Sequence, residues 1–365
     1  MKRRTFLQSS FGVCLGAPLL AAVKRNEFDA AAVVLADATA RGIVHAASLH
    51  VQHGDRTFAR SFGAAKSVDD LFLLASISKT ISAAAVMTLY DRKKLGLDDR
   101  VQRFIPEFKG DGRETITMRQ LLTHVSGLPD QLPQNAKLRA RHAGLRAFVD
   151  GAVRTPLLFP PGSRYSYSSM AILLATEVAQ RVSGTKFSNL VDEHIYKPLE
   201  MKHSAMGLGR FKLEEVMRCQ VENAAPESGA GDPATKSWDW NSAYWRKLGV
   251  PWGGAHGSAG DVARFLGEFL HPTGKILKPE TARLMIANQN PDQLRPRGLG
   301  FDVGMGVGGS GCSERTFGHT GSTGTRCWAD PATETVCVVL TTLPARAVKP
   351  HPRDIASERV AKAVN

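Results

Sequence analysis

The sequence predicts an α/β protein in which an antiparallel sheet flanked by helices is interrupted by an inserted helical domain. Strand-like segments lie near the start of the chain, at 46–63, and again near its end. Between them the apolar residues mainly follow helical spacing. This order indicates a discontinuous α/β domain, formed by 23–99 and 246–365, and a mostly helical domain at 100–245.

The terminal segments justify the predicted sheet. Residues 28–44 form an Ala-rich helical pattern that ends near Gly42. The next segment, AASLHVQHGDRTFARSFG, is typical of two strands joined by a turn at His53-Gly54-Asp55. Near the other end, GLGFDVGMGVG, RTFGHTGSTGTRCWAD and ETVCVVLTTL combine alternation with glycines, and they predict further antiparallel strands.

The first 22 residues are typical of an export signal. A basic start, MKRRTFLQSS, precedes the short apolar run FGVCLGAPLLAAV, which is too short to span a bilayer comfortably. The pair Arg3-Arg4 indicates the twin-arginine type, with an ordinary Sec signal or a retained anchor as alternatives. We therefore expect a periplasmic or secreted protein whose mature chain has no membrane span.

The charge balance gives no sign of a nucleic-acid partner. The chain carries 47 Lys and Arg against 34 Asp and Glu, a formal net charge of +13. These basic residues are scattered, and neither a basic run interleaved with aromatics nor a zinc-finger or helix-turn-helix signature occurs. We expect a small-molecule partner and no nucleic acid, and the sequence does not indicate an oligomeric state.

The cysteines leave one question open. Of the five in the chain, Cys14 lies in the predicted leader, and none has the spacing of a zinc or redox site. Cys327 and Cys337 flank a predicted hairpin turn, so a disulfide across two strands is one interpretation. Two buried free thiols are the interpretation that we favour.

The segment LFLLASISKTISAAAVMTLY, at 71–90, contains a basic residue within an apolar run. Ser76 and Lys79 are three residues apart and would share one face of a helix, with Ser76 in its first turn. A buried ammonium is costly unless it is paired or loses its proton. A lysine with a lowered pKa could take the serine proton, whereas a lysine that points to solvent is the simpler alternative.

Other hydrolase and cofactor motifs do not occur. No serine has glycine at both the −2 and +2 positions, which excludes the nucleophile elbow of α/β-hydrolases. A zinc-protease helix motif, a P-loop and a dinucleotide-binding fingerprint are also missing from the sequence. We therefore expect no metal and no cofactor.

Three short motifs in a fixed order point to a known family. They are S-I-S-K at Ser76–Lys79, Y-S-S at Tyr167–Ser169 and H-T-G at His319–Gly321, supported by LGLDDRVQRFIPEF, ITMRQLLTHVSGLP and GSAGDVARF. With these motifs the sequence resembles the serine β-lactamase and penicillin-binding-protein superfamily. The similar branch holds class C β-lactamases, D,D-peptidases and family VIII esterases, and the resemblance implies their β-lactamase/transpeptidase-like fold.

The resemblance implies a catalytic role for several residues. Ser76 would be the acylated nucleophile, and Lys79 would promote its deprotonation. Tyr167 would be the proton shuttle or base, acting as phenolate or through Lys79, and Tyr165 is an alternative for this role. The backbone N–H groups of Ser76 and Ser322 would form the oxyanion hole.

The substrate-binding positions depart from the family pattern. The second motif usually ends in Asn but here ends in Ser169, and the third has His319, expected opposite the serine, where Lys is usual. Both changes weaken the expected hold on a β-lactam or peptide and are compatible with uncharged esters. The segment 238–252 is rich in tryptophan. Gly321 is expected to line the substrate site together with Trp240 and Trp252 of this tryptophan-rich segment. The alternative is that these tryptophans only pack in the core.

These observations predict an exported serine acyl hydrolase. The expected activity is that of a carboxylesterase on small or medium esters, through an acyl-enzyme on Ser76, with transfer to an alcohol as a second outcome. The alternatives are a D,D-peptidase or weak class C-like β-lactamase, and a non-catalytic penicillin-binding sensor. A deacylation base at Tyr167 argues against the sensor.

Overall fold

The structure, a computed structural model, describes residues 27–365. Its helices are α1 (Asp29–Ala40), α2 (Ser78–Asp91), α3 (Met118–Leu122), α4 (Asn135–Ala140), α5 (Leu145–Arg154), α6 (Ser169–Ser183), α7 (Phe187–Val191), α8 (Ala243–Leu248), α9 (Ala259–Leu270), α10 (Pro279–Ile286) and α11 (Pro352–Ala363). Its strands are β1 (Ala46–His53), β2 (Arg56–Gly63), β3 (Phe72–Leu73), β4 (Ser204–Met206), β5 (Ala255–Gly257), β6 (Asp302–Val303), β7 (Phe317–Gly321), β8 (Thr325–Asp330) and β9 (Thr335–Thr341). The predicted leader, 1–22, lies outside the described residues.

A six-stranded antiparallel sheet with the order β2-β1-β9-β8-β7-β6 joins the two ends of the chain. β1 and β9 are neighbours, with Leu49 opposite Val339. Helices cover both faces of this sheet, and the protein therefore has the predicted mixed α/β class with an antiparallel sheet flanked by helices.

The two faces of the sheet bury different cores. On one face α1 and α11 pack over a cluster that includes Leu49, Trp328 and Val339. The indole N–H of Trp328 donates a hydrogen bond of 2.8 Å to Ser357 Oγ on α11, so this buried polar group is satisfied. On the other face α9 packs against Val338 and its neighbours, within the larger core that also surrounds α2 and α6.

A second, three-stranded sheet lies beside α2. Its order is β3-β5-β4, and it pairs Phe72 and Ser204 with the same residue, Gly257. β4 belongs to the stretch that was expected to be mostly helical, and between β4 and α8 the chain forms only short 3₁₀ turns. The division of the chain into 23–99 with 246–365 and 100–245 stays a prediction.

The strand expected in GLGFDVGMGVG is much shorter than its alternation suggested. Only β6 forms there, and it is two residues long. Gly300 and Gly304, on either side of it, have φ values of 83° and 100°, which lie outside the extended region and end the strand at both sides. None of the helices in the described part of the chain is long and apolar enough to cross a membrane.

The strand register explains why Cys327 and Cys337 do not form a disulfide. Cys327 lies opposite Val338, whereas Cys337 lies opposite Trp328. Because successive side chains in a strand point to opposite faces, the two thiols lie in different cores. All four cysteines of the described residues are free and buried.

The cysteine geometry predicts that reduction does not destabilise the protein. We expect the thermal midpoint to be the same with and without a reducing agent, and alkylation under denaturing, non-reducing conditions to modify Cys219, Cys312, Cys327 and Cys337. Loss of a native disulfide typically costs about 2–5 kcal/mol. A midpoint that falls by several degrees on reduction would therefore contradict the separation of the two thiols.

Candidate active site

Ser76 lies in a tight turn between β3 and α2. The turn is a 3₁₀ helix, Ala75–Ile77, so Ser76 precedes the α-helix instead of lying in its first turn as expected. Ala75 has a φ of 48°, in the left-handed region that residues with a Cβ rarely adopt. This reversal leaves Ser76 partly exposed while its neighbours Ala75 and Ile77 are buried.

Lys79 is buried directly behind this serine. Only 1% of the residue is exposed, and its Nζ donates hydrogen bonds to Ser76 Oγ at 3.1 Å and to the carbonyl oxygen of Trp252 at 2.8 Å. Burial lowers the pKa of Lys79 to about 8; Asp130 opposes this change and Arg297 adds to it. A fraction of the amine is therefore neutral near physiological pH and can accept a proton from Ser76.

Tyr167 covers the amine of Lys79. Lys79 Nζ lies 4.7 Å from the centre of the Tyr167 ring, and the ring of His124 packs against the same tyrosine at 4.7 Å. Burial raises the pKa of Tyr167, against the opposing effects of Arg297 and of a hydrogen bond with Ser76. The phenol is therefore neutral at physiological pH, which makes it a proton donor before it can act as a base.

The hairpin formed by β7 and β8 approaches the serine turn closely. Thr325 Oγ1 donates a hydrogen bond of 2.9 Å to the carbonyl oxygen of Leu74, and Thr323 Oγ1 donates one of 2.7 Å to that of Leu73. A Cβ on Gly321 would lie 2.5 Å from the carbonyl oxygen of Leu74. Only glycine fits at this position without displacing the backbone.

The turn after β7 presents an unoccupied donor to the same cavity. Ser322 lines the cavity together with Ser76 and Lys79. Among the hydrogen bonds of residues 27–365, none uses the backbone N–H of Ser76 or of Ser322 as donor. Two free amide donors beside a hydroxyl can stabilise an oxyanion that forms there.

Ser169, the first residue of α6, is held by a carboxylate. Its Oγ and its backbone N–H donate to Asp130 Oδ1 at 2.6 and 2.9 Å, and the residue is 2% exposed. Ser168 caps the helix by accepting from Ala171 N, which fixes where α6 begins. The sequence interpretation did not use Asp130, although it directly follows the quoted LLTHVSGLP motif.

His319 is enclosed and does not line the cavity. Its Nε2 accepts a hydrogen bond of 2.9 Å from Arg297 Nη2, so its Nδ1 carries the proton and donates to the carbonyl oxygen of Thr320 at 2.7 Å. Burial lowers the pKa of His319 to about 3, which leaves it neutral. Both ring nitrogens are occupied within the protein, which leaves neither for a substrate. No motif or spacing in the sequence indicated Arg297.

The tryptophan-rich segment forms one wall of the cavity. Trp240, Trp245 and Trp252 line a space of about 160 Å³ next to Ser76. A space of this size favours a small acyl group over a bulky one. The same wall contains Arg139, whose guanidinium lies 3.4 Å from the centre of the Trp245 ring.

Charged residues far apart in the sequence also reach this cavity. Glu227 lines it, and burial raises the pKa of its carboxyl group. Arg139 donates a hydrogen bond to the backbone carbonyl oxygen of Glu227, which ties α4 to the loop after β4. Within residues 27–365, no group of three or more His, Cys, Asp or Glu side chains is placed to hold a metal ion.

The chain belongs to the beta-lactamase family, because the family model described as Beta-lactamase matches residues 30–361. An Escherichia coli K12 protein named "Putative D-alanyl-D-alanine carboxypeptidase" is 26% identical over 338 residues, 81% of this chain and 77% of that protein. Esterase EstB of Burkholderia gladioli is 33% identical over 184 residues, 44% of this chain and 47% of EstB. The structure of EstCE1, "a hydrolase with promiscuous acyltransferase activity", superposes with a TM-score of 0.74 at 20% identity, covering 93% of this chain and 98% of EstCE1.

These similarities confirm two predictions made from the sequence. The fold is that of the serine β-lactamase and penicillin-binding-protein superfamily, since family membership spans nearly all of the described chain. The protein is an enzyme of the serine hydrolase class, because it belongs to the beta-lactamase family and its relatives include proteins named as an esterase and as a carboxypeptidase.

The contact between β7 and the serine turn predicts a strong effect of Gly321→Ala. The added methyl group would push β7 away from Leu74, so we expect a stability loss of about 1–3 kcal/mol from overpacking. A displacement of about 1 Å near the reacting groups can lower turnover roughly 100-fold. Urea unfolding and hydrolysis of an activated ester would measure the two effects.

Gly267→Ala is the matched control for this substitution. Gly267 lies inside α9, and an added Cβ would meet nothing within 4 Å. Alanine at this helical position should raise stability by up to about 1 kcal/mol and leave turnover unchanged. If the two variants behaved alike, the close approach at Gly321 would not matter for the site.

Proposed function

We propose that this protein is a carboxylesterase that hydrolyses small or medium esters through an acyl-enzyme on Ser76. The observation that carries the proposal is the hydrogen bond from the buried Lys79 amine to Ser76 Oγ, beside a small tryptophan-lined cavity. Since the pKa of Lys79 is lowered to about 8, this amine can act as a base at moderately alkaline pH.

The acylation step follows from these positions. Ser76 Oγ attacks the ester carbonyl while its proton moves to the Lys79 amine. The backbone N–H groups of Ser76 and Ser322 stabilise the oxyanion. The alcohol leaves with a proton from the neutral phenol of Tyr167, which Lys79 then restores. Water, or a second alcohol, repeats the sequence in reverse and releases the acyl group.

The preference for esters rests on what Ser169 and His319 lack. An Asn at the position of Ser169 would offer both a donor and an acceptor to a substrate amide, but the Ser169 hydroxyl is already committed to Asp130. A Lys at the position of His319 would offer a charge to a substrate carboxylate, but His319 is neutral and occupied by Arg297. An uncharged ester needs neither interaction.

The similarity to EstB supports the esterase proposal, since EstB is named an esterase and is 33% identical over the matched region. The name of the Escherichia coli relative supports a D,D-peptidase as the second candidate. That candidate would need groups that bind a terminal carboxylate, and Arg139 is the charged cavity residue with that capacity.

We also propose that the protein is exported to the periplasm or secreted. The support is the sequence of residues 1–22, in which Arg3 and Arg4 precede a short apolar run. An expressed full-length chain should appear outside the cytoplasm in a processed form. Replacement of Arg3-Arg4 by Lys-Lys should retain the chain in the cytoplasm if the twin-arginine route is used.

The esterase proposal predicts an order of substrates. We expect p-nitrophenyl acetate and butyrate to be turned over with a higher kcat/KM than a chromogenic cephalosporin or a D-Ala-D-Ala peptide. Ser76→Ala should abolish ester turnover, whereas Ser188→Ala, at an exposed position on α7, should leave it unchanged. A higher kcat/KM for the cephalosporin would refute the esterase proposal. A higher kcat/KM for the peptide would favour the D,D-peptidase, the second candidate.

The lowered pKa of Lys79 predicts the direction of the pH dependence. Below pH 8 the amine is mostly protonated and cannot accept the Ser76 proton, so kcat/KM for a neutral ester should rise through an apparent pKa of about 8. Because burial raises the pKa of Tyr167, the plateau should extend beyond the ordinary pKa of tyrosine. An initial-rate profile from pH 6 to about pH 11, beyond the ordinary tyrosine pKa of about 10, would test this, and a flat or falling profile would contradict Lys79 as the base.

A further inference from the structure

Arg297 is a buried cation for which the reaction outlined above has no role. Only 1% of the residue is exposed, and it forms an ion pair with Asp302 through Nη1. Its Nη2 donates to His319 Nε2 at 2.9 Å and to the carbonyl oxygen of Gly300 at 3.3 Å. Its Nε is buried and has no hydrogen-bond partner among the described residues.

Arg297 lies near the ring that covers the catalytic amine. Its guanidinium carbon is 5.7 Å from the centre of the Tyr167 ring, and Lys79 Nζ is 4.7 Å from the same centre. Arg297 and Lys79 are buried, and Tyr167 is half-buried. In such an environment little water screens one charge from another, so Arg297 acts on Lys79 even though the two do not touch.

His319 cannot neutralise or replace this charge. Its two ring nitrogens are committed to Arg297 and to the Thr320 carbonyl, so it stays a neutral spacer between the guanidinium and β7. Asp302 is the counterion. Burial raises the pKa of its carboxyl group, but the charge of Arg297, the hydrogen bond from Arg297 and the nearby Arg295 together outweigh burial and keep the pKa below its ordinary value, so the pair is ionised.

We propose that Arg297 is a positioning residue of the reaction: its charge, fixed near the Tyr167 ring by Asp302 and His319, favours the neutral form of the Lys79 amine. Asp302 acts in the opposite direction and limits the effect. This inference rests on the proposed roles of Ser76 and Lys79.

Other titratable groups near Lys79 also affect its protonation, in addition to Arg297 and Asp302. Asp130 and Glu227 face it from the cavity, and their carboxylates favour the ammonium form. His124 and His319 also lie near, and burial lowers the pKa of each so that both are neutral. In its effect on Lys79, Arg297 therefore opposes three carboxylates: Asp130, Glu227 and Asp302.

The test measures how fast Ser76 is phosphonylated by a biotin-tagged fluorophosphonate between pH 6 and pH 10. In this reaction the bond from Ser76 Oγ to phosphorus forms, the phosphorus–fluorine bond breaks, fluoride leaves, and the serine proton moves to the Lys79 amine. The rate therefore reports the fraction of neutral amine and needs no ester substrate.

Substitution of Arg297 and substitution of Asp302 should shift the midpoint of the labelling rate against pH in opposite directions. Arg297→Gln removes the cation, so the midpoint should move to higher pH by on the order of one unit. Asp302→Asn removes the counterion, so the midpoint should move to lower pH. Arg297→Lys keeps a positive charge and should restore a midpoint close to that of the unmodified protein.

A purely structural role would give a different pattern. Both variants would then lose labelling at every pH, or lose thermal stability, without opposite shifts of the midpoint. If Arg297→Gln does not fold, Asp302→Asn decides the question alone, because an unchanged or raised midpoint overturns the proposal. Midpoints that move in the same direction in both variants would overturn it as well.

The labelling experiment distinguishes failure of the Arg297 proposal from failure of the esterase proposal. Opposite shifts in a protein that hydrolyses no p-nitrophenyl ester would support the role of Arg297 and refute the esterase. Ester turnover with unshifted midpoints would support the esterase proposal and refute the role of Arg297. Peptide mapping that places the label on Ser126 or Ser322 would refute the shared basis of both, which is Ser76 as the nucleophile.

Discussion

Burial of the Lys79 amine is the constraint on which the rest of the site depends. Every residue of α2 from Ser78 to Leu89 is buried, so the helix has no face on which a lysine could reach solvent. The amine is instead satisfied by Ser76 Oγ and the Trp252 carbonyl, and Ser82 donates in the same way to the carbonyl of Pro251. The polar side chains of α2 thus bind the tryptophan-rich segment and fix one wall of the cavity.

The opposite wall depends on the packing of β7 against the serine turn. Hydrogen bonds from Thr323 and Thr325 to the carbonyls of Leu73 and Leu74 leave no space for a side chain at Gly321. This contact brings the Ser322 amide to the cavity that also contains Ser76. The pairing of β1 with β9 connects the ends of the chain within the same sheet that contains β7.

The sequence predicted those parts of the site that depend on local spacing. Ser76 and Lys79 are three residues apart, and in a helical turn this spacing places the two side chains on the same face. The alternation of β1 and β2 gave the first hairpin correctly. The predicted length of the strand around β6 was too great, because alternation of apolar residues is a weak guide to strand length where glycines adopt positive φ. Whether Cys327 and Cys337 form a disulfide depends on the register of β8 against β9. The position of the two cysteines on either side of a turn does not reveal this register.

The sequence by itself determined the fold class, the family and the order of the three motifs, because these follow from periodicity and from short motifs in a fixed order. Only the tertiary structure decided which charges surround Lys79. Arg297 reaches Tyr167 and His319 from a loop 22 residues away from the histidine in the chain, and Asp130 reaches Ser169 across 39 residues. Contacts of this kind arise from the packing of separate elements, and no spacing rule in the chain encodes them. The same packing turned His319 from an expected substrate-facing residue into a neutral partner of a buried cation.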